Sequence, residues 1–428
     1  MKLDPSACYR AVLARDVRYD GRFFTCVKST GIYCRPICPA RTPKIENCTF
    51  VPTAAAAQEV GYRPCLRCRP ESSPDLDAWR GTSATVSRAL KMIEGGALDD
   101  GDVESLAARL EIGERQLRRL FRQHIGAAPV TVAQTRRVLL AKQLIHQTDL
   151  PMIEVALASG FGSVRRFNET FLHLYNRPPG EFRRKHATTT SRSPEIVLLL
   201  PYRPPYDWDC ILEFFKLRGI TGVEVVADGS YSRVIELGEP YDAVGTITVS
   251  HAPKDSALRV AVRFPHLNAL PVIIARIRRM FDLSADPGAI AAVLSLDPAL
   301  KRMISARPGL RVPGAWDGFE VAIRAVLGQQ ITVQRSIQLA SRITSAIGTP
   351  VDETIPGLTH AFPRPEHFNM KVLHGMPKAR AAALMGVAAA TRKDAHLFDP
   401  RRDLEEAVLH LCKLPGIGEW TAQYIAMR

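Results

Sequence analysis

The chain has 428 residues, a hydrophobic fraction of 46% and a formal net charge of +14. This length exceeds one ordinary hydrophobic core, so we expect several domains, and the basic surplus, concentrated in the first half, favours a polyanionic partner. No segment has the composition of a signal peptide or a membrane span, which predicts a soluble cytoplasmic protein without a membrane partner. A moderately basic protein that is merely soluble is the alternative.

Four of the nine cysteines form two closely spaced pairs near the N-terminus. Such spacing is typical of a tetrahedral zinc site, so a small zinc-bound α/β module with one Zn²⁺ is predicted over residues 1–74. A purely structural zinc site is the alternative from spacing alone. The surrounding positive charge favours nearby DNA instead. The predicted ligands are Cys34, Cys38, Cys65 and Cys68, and the predicted DNA contacts are Arg41, Arg63 and Arg67.

Residues 29–41 and 63–70 closely resemble the N-terminal domain of the Ada-type alkylation-response proteins. The resemblance implies that Cys34 irreversibly accepts a methyl group from a methylphosphotriester in DNA, while the other three cysteines complete the metal shell. Methylation converts a thiolate into a neutral thioether, so the cluster loses one negative charge and repels the phosphate backbone less. We therefore expect methylation of Cys34 to strengthen promoter binding.

Between residues 83 and 186 apolar positions recur at helical spacing, which predicts an all-α unit. The order helix, glycine turn, basic helix occurs twice, at 103–121 and 153–171, with a joining helix at 130–146. The segment 158–183 resembles the second half of an AraC-type DNA-binding domain, which implies two helix-turn-helix units. Solvated basic faces on a helical bundle are the alternative. The predicted DNA contacts are Arg115, Arg118, Arg119, Arg165 and Arg166.

The second half of the chain is predicted to hold two further domains, which gives a multidomain α+β protein. Thr, Ser and Pro at 187–194 indicate a linker. An α+β sheet domain is predicted at 195–296 from strand patterns and one helical pattern. An all-α domain is predicted at 298–428, with helices at 319–327 and 333–347.

A Leu-Pro-Gly-Ile-Gly motif at 414–418 predicts a tight hairpin between two helices. Glycines there allow backbone amides to bind a phosphate, although a plain interhelical turn uses the same residues. Lys413, Gly416 and Gly418 are the predicted DNA contacts. Together with the sheet domain, residues from 195 onwards resemble AlkA-type helix-hairpin-helix DNA glycosylases, which excise alkylated bases of the 3-methyladenine type.

The glycosylase resemblance also implies roles for three further side chains. Such enzymes flip the damaged base out of the duplex, and Trp420 and Tyr424 match the aromatic residues of the base pocket. Core packing is the alternative for Tyr424. Gln330 stands where a close relative has an apolar wedge, and is a predicted DNA contact.

An aspartate just downstream of the hairpin carries catalysis in that superfamily. No aspartate follows Asp403 in this sequence, and Glu419 lies at the start of the hairpin helix. We therefore expect the chain to lack glycosylase activity, or to be a shortened version of an active protein. Trp420 replaces the Schiff-base lysine of bifunctional relatives, which argues against lyase chemistry. A Pro-Cys-His-Arg methyltransferase motif is absent from the sequence, so repair of O6-methylguanine is not expected.

Three functions remain open from the sequence. The first is a nucleoid-associated alkylation sensor and transcription activator fused to a glycosylase scaffold, with alkylated and promoter double-stranded DNA and RNA polymerase as partners. The second is a transcription regulator with a structural zinc site and a DNA-binding glycosylase remnant. The third is a helical interaction protein that does not bind DNA.

Overall fold

The computed structural model describes residues 3–74, 83–183, 195–352, 354–399 and 404–428. The linker predicted at 187–194 lies outside these ranges. We refer to residues 3–74 as the N-terminal module, 83–183 as the central helical unit, 195–317 as the sheet unit and 318–428 as the C-terminal helical unit. Within the described ranges, no helix combines the length and apolar composition needed to cross a bilayer.

The N-terminal module packs two helices against a small four-stranded sheet, as predicted for a small α/β module. Its strands lie in the order β3-β1-β2-β4, and β4 pairs with β2 in parallel. Phe24, Cys26 and Tyr33 are buried between the sheet and the second helix. The elements are α1 (Pro5–Leu13), β1 (Phe24–Val27), β2 (Ile32–Cys34), β3 (Cys48–Val51), α2 (Ala54–Glu59) and β4 (Arg63–Pro64).

The central helical unit is entirely helical and contains the two predicted helix-turn-helix pairs. Gly113 precedes the second helix of the first pair, and Ser163 caps that of the second pair by accepting the N–H of Arg166. Phe167 and Phe171 of this last helix are fully buried. The helices are α3 (Ala84–Glu94), α4 (Val103–Arg109), α5 (Glu114–His124), α6 (Pro129–Gln147), α7 (Met152–Ala158) and α8 (Val164–Tyr175).

The sheet unit is a five-stranded antiparallel sheet in the order β5-β9-β8-β7-β6, with helices against it. Strand β8 lies at the centre of the sheet, and its Val249 is paired with Val260 of β9. Strand β9 and helices α10 and α11 were not predicted from the sequence. The elements are β5 (Ile196–Pro201), α9 (Trp208–Arg218), β6 (Glu224–Ala227), β7 (Ser230–Leu237), β8 (Ala243–Ala252), β9 (Ala257–Arg263), α10 (Leu270–Met280), α11 (Pro287–Leu294) and α12 (Pro298–Ala306).

The C-terminal helical unit buries its own core, in which Ile323, Leu384 and Ala422 are inaccessible to solvent. Its last two helices flank the predicted hairpin. The loop between the second and third helices forms an isolated bridge to the sheet unit, between Leu358 and Gly222. The helices are α13 (Gly318–Leu327), α14 (Val333–Ile347), α15 (Lys378–Lys393), α16 (Leu404–Leu411) and α17 (Glu419–Met427).

Helix α6 connects three units through buried polar side chains. Lys142 donates a hydrogen bond of 2.8 Å to Glu71 of the N-terminal module, and both side chains are excluded from solvent. Gln143 donates to the carbonyl of Leu199, and Gln147 accepts the N–H of the same residue. Since β5 is an edge strand, these two amides satisfy backbone groups that would otherwise lack partners.

Apolar packing continues the same connection. One hydrophobic core includes residues of α6, α7 and α8 together with residues of the sheet unit, from Val138 and Phe171 to Leu198 and Phe281. The second helix-turn-helix pair therefore packs on the sheet unit and shares its core.

The buried pair at α6 gives a stability prediction. Burial alone would raise the pKa of Glu71, but the charge and hydrogen bond of Lys142 outweigh burial and hold it below its usual value of 4.5. Lys142→Met leaves the buried carboxylate with Arg69 as its remaining charged partner, so we expect the free energy of unfolding to fall by about 1.5–3 kcal/mol. Urea denaturation at neutral pH measures this change.

Two controls sharpen the stability prediction. The double variant Lys142→Met/Glu71→Leu removes both buried charges and leaves the partly exposed Arg69 without this partner, so part of the lost stability should return. Arg165→Ala breaks an exposed ion pair with Glu169 and should leave the midpoint unchanged. Because the folded-state pKa of Glu71 is lowered, the contribution of the pair is present above pH 4.5 and is lost as the pH falls below it. Equal stability of Lys142→Met and the wild type would contradict the assignment.

Candidate metal centre and nucleic-acid interface

The parallel pairing of β2 and β4 brings the two cysteine pairs together. Tyr33 lies opposite Pro64, so the residues that follow in each strand, Cys34 and Cys65, become neighbours. Cys38 and Cys68 complete the group, and all four sulfurs lie within 4.8 Å of one another. Tetrahedral zinc with bonds of about 2.3 Å requires sulfur separations of roughly 3.8 Å, close to the 4.0 Å between Cys38 and Cys65. The prediction of one four-cysteine zinc ion is confirmed.

Thiol titration in this cluster depends on a bound cation. Hydrogen bonds from Cys34 and Cys68 lower the pKa of Cys38 to about 7, while hydrogen bonds with Cys38, Cys65 and Cys68 raise the pKa of Cys34. Four thiolates at this separation repel one another, so a divalent cation is needed to hold all of them deprotonated.

Backbone amides distinguish Cys34 from the other three ligands. The N–H of Arg35 donates to Cys68 at 3.3 Å, that of Arg67 to Cys65 at 3.4 Å, and that of Ala40 to Cys38. Among the described residues, no amide donates to the sulfur of Cys34. Hydrogen bonds withdraw electron density from a thiolate, so the Cys34 sulfur is the most electron-rich of the four. Cys34 and Cys38 are partly exposed, whereas Cys65 and Cys68 are buried.

The two residues that flank Cys34 make polar contacts with different parts of the molecule. The Tyr33 hydroxyl accepts from Gln58 at 3.0 Å, and Gln58 in turn accepts from the Thr135 hydroxyl on α6 at 3.1 Å. The Arg35 guanidinium pairs with Asp20, with the Nε to Oδ1 distance at 2.8 Å. Sequence reasoning did not find these partners, because no short-range spacing marks them.

The basic residues predicted to contact DNA are mostly exposed. Arg41 and Arg67 of the N-terminal module are exposed and Arg63 is half-buried. The five arginines of α5 and α8 that were predicted to contact DNA are all exposed. Two of them form ion pairs one helical turn apart, Arg118 with Glu114 and Arg165 with Glu169. Exposed pairs of this kind are weak, so a phosphate can replace the carboxylate.

Asp99 holds the two helix-turn-helix pairs together. Its carboxylate pairs with Arg136 and Arg137 on α6, the helix that joins the pairs. Gly160, in the turn of the second pair, has φ +87°, and a Cβ at this position would collide with the carboxylate of Asp99. The carboxylate therefore fixes the joining helix against the turn of the second pair. The sequence analysis missed Asp99, which lies in a Gly- and Asp-rich turn.

The hairpin between α16 and α17 has the predicted glycine geometry. Gly416 has φ +75°, and a Cβ there would lie 2.6 Å from the Cβ of Ala383, so only glycine fits. Gly418 and Lys413 are exposed. The side chain of Gln329 donates to the Gly416 carbonyl at 2.8 Å, which holds the segment containing Gln330 beside the hairpin. Gln330 is exposed with φ +56°.

The aromatic residues after the hairpin form an open platform. The rings of Trp420 and Tyr424 stack at 5.7 Å with an interplanar angle of 11°. Trp420 is 73% exposed, which is unusual for a tryptophan and typical of a binding surface. Tyr424 is half-buried against the core of its unit.

Three sequence families match this chain in succession. The metal-binding domain of Ada matches residues 7–71, a helix-turn-helix domain matches 106–185, and the AlkA N-terminal domain matches 197–317. A Mycobacterium tuberculosis protein described as a probable bifunctional transcriptional activator/DNA repair enzyme AlkA is 38% identical over 99% of this chain and 86% of its own length. The chain belongs to this activator/repair family.

Two further relatives of the activator/repair family each cover one half of the chain. DNA-3-methyladenine glycosylase 2 of Escherichia coli is 34% identical over 54% of this chain and 79% of its own length. The bifunctional transcriptional activator/DNA repair enzyme AdaA of Bacillus subtilis is 31% identical over 41% of this chain and 81% of its own length. The fusion inferred from the sequence is confirmed.

The geometry of the cysteine cluster predicts the effect of removing one ligand. Cys38→Ser leaves three sulfur ligands, so we expect zinc affinity to fall by about 100-fold or more. Competition with a chromogenic chelator measures this loss. Cys48→Ser is the matched control, because Cys48 lies in the same module but outside the cluster. Zinc retention equal to that of the wild type in Cys38→Ser would contradict the ligand assignment.

Proposed function

We propose that this protein is an alkylation sensor that repairs methylphosphotriesters in double-stranded DNA and binds promoter DNA as a transcription activator. The observation that carries the proposal is the asymmetry of the zinc cluster. Cys34 is the ligand whose sulfur accepts no amide hydrogen bond from the described residues; it is partly exposed, as is Cys38, which accepts from the Ala40 amide. A purely structural site has no need for one electron-rich, accessible sulfur.

The proposed transfer is a direct displacement at carbon. The Cys34 thiolate attacks the methyl carbon, an S–C bond forms, and the C–O bond of the phosphotriester breaks. The electron pair of the broken bond stays on oxygen, which leaves a phosphodiester anion. No proton moves, and the thioether product is stable, so each molecule reacts once.

Methylation then acts on DNA affinity through charge. The cluster loses one negative charge, so its repulsion of the phosphate backbone weakens. The N-terminal module contacts α6 through Gln58 and Thr135, and through Glu59 and Thr131. These contacts hold the zinc cluster close to the joining helix, so that the module and the helix-turn-helix pairs can bind one stretch of DNA.

The remaining assignments belong to the same proposal. The DNA-contacting groups are the exposed basic residues of the module, α5 and α8, together with Gln330, Lys413 and the hairpin glycines. The proposed domains are 1–74, 83–186, 195–296 and 298–428, joined at 187–194. RNA polymerase is the proposed partner of the activator; the M. tuberculosis relative is described as a probable transcriptional activator. We place the protein on nucleoid DNA in the bacterial cytoplasm.

Incubation with duplex DNA that carries a methylphosphotriester tests the proposal. The intact protein should gain the mass of one methyl group, located on Cys34 by peptide mass spectrometry, and its promoter affinity at fixed salt should rise by about tenfold or more. Cys34→Ala should gain no mass, and Cys48→Ala should react like the wild type. Absence of methylation at Cys34 would favour a regulator with a structural zinc site.

The glycosylase half gives a separate expectation. We propose that Trp420 and Tyr424 stack on a flipped alkylated base, which a cationic purine favours. None of residues 404–428 is an aspartate, and Glu419 is the first residue of α17. A polypeptide of these 428 residues is therefore proposed to bind alkylated DNA without excising the base.

Excision assays on methylated DNA measure this directly. The purified 428-residue polypeptide should release no 3-methyladenine above background, while Trp420→Ala should weaken its binding to DNA with an unpaired alkylated base by about 1–3 kcal/mol. Tyr19→Ala, an aromatic change in the N-terminal module, should leave this binding unchanged. Release of 3-methyladenine at an enzymatic rate would show that another residue supplies the catalytic group.

A further inference from the structure

A chain of buried polar contacts leads from the zinc cluster into the sheet unit. Arg35 follows Cys34 directly, and its guanidinium donates to both carboxylate oxygens of Asp20 and to the carbonyl of Cys68. The backbone carbonyl of Asp20 accepts from the guanidinium of Arg203, which lies just after β5 in the sheet unit. Arg203 of the sheet unit therefore contacts Asp20, the residue that orients Arg35.

Arg203 is itself fixed by a second carboxylate. It donates to Asp286 at 2.9 Å, and Asp286 also accepts from Arg22 of the N-terminal module at 2.5 Å. The other oxygen of Asp286 accepts the N–H groups of Gly288 and Ala289 at the start of α11. This carboxylate therefore joins arginines from two units to a helix N-terminus.

These groups are shielded from solvent. Arg203 is 5% exposed, and Asp20 and Asp286 are each 3% exposed. Removing one partner of a buried charged group is costly, so the position of each of these groups depends on the others. Arg311 also holds this segment, because its guanidinium donates a hydrogen bond to the backbone carbonyl of Arg203 at 2.5 Å.

We propose that Arg203 is a positioning residue for the methyl-acceptor centre, an inference that rests on the proposed role of Cys34. Arg203 holds the Asp20 backbone, Asp20 holds the Arg35 side chain, and the Arg35 amide donates directly to the Cys68 sulfur. The sheet unit, which belongs to the glycosylase half, thereby fixes the loop that carries Cys34. Loss of this contact loosens the metal shell and misaligns Cys34 for attack.

Full-length Arg203→Gln tests the inference with two readouts, the rate of zinc release to a chelator and the rate of Cys34 methylation by methylphosphotriester DNA. We expect zinc release to become roughly tenfold faster and methylation roughly tenfold slower. Arg203→Lys keeps a donor for one of the two acceptors and should give intermediate values. Arg259→Gln, an exposed change on β9 of the same unit, should match the wild type.

Asp286→Asn provides a second route that changes no residue of the zinc module, although it also weakens the contact of Asp286 with Arg22. This variant weakens the ion pair with Arg203. Zinc release should therefore become faster and methylation slower, each by a smaller factor than in Arg203→Gln. If Arg203→Gln does not fold, Arg203→Lys and Asp286→Asn carry the test. Zinc release and methylation rates equal to the wild type in these variants would overturn the inference. Zinc release is measured without DNA and so tests the role of Arg203 independently of methylation. Absence of methylation in the wild type would instead count against the proposed role of Cys34.

Discussion

The placement of α6 depends on burying a lysine without leaving its charge unpaired. Lys142 is completely enclosed, and the carboxylate that neutralises it, Glu71, comes from the N-terminal module. Glu71 lies three residues beyond the zinc ligand Cys68, in a short 3₁₀ turn formed by Pro70–Ser72. The turn and the helix that joins the two DNA-binding pairs must therefore be in place together, because Lys142 would otherwise be buried without a carboxylate partner.

Cys34 occupies a position from which polar contacts extend in two directions. On one side Tyr33 leads through Gln58 to the DNA-binding unit, and on the other Arg35 leads through Asp20 to the sheet unit. The Cys34 sulfur lies between these two routes. A change of its charge therefore acts near groups that belong to both halves of the fusion. Charge and geometry act together here, since the same contacts that tune the sulfur also set the relative positions of the units.

Local patterns in the sequence were sufficient for the metal ligands and the helix-turn-helix pairs, because each is defined within a few residues. The paired cysteines, the repeated helix-glycine-helix pattern and the Leu-Pro-Gly-Ile-Gly hairpin are of this kind. Strand β9, whose alanines and arginines dilute its β-branched residues, was missed. The contacts of Lys142, Asp99 and Arg203 could not be predicted, since their partners lie tens to nearly two hundred positions away and carry no distinguishing motif.

The two glutamines that cover the edge of β5 limit how this protein can be divided. Leu199 satisfies both of its backbone groups with side chains of α6, on the far side of the predicted linker. A fragment that begins at residue 195 would present this strand edge to solvent, and open edges pair readily with strands of other molecules. Such a fragment is therefore expected to aggregate more readily than the intact chain, so fusion itself protects the sheet unit.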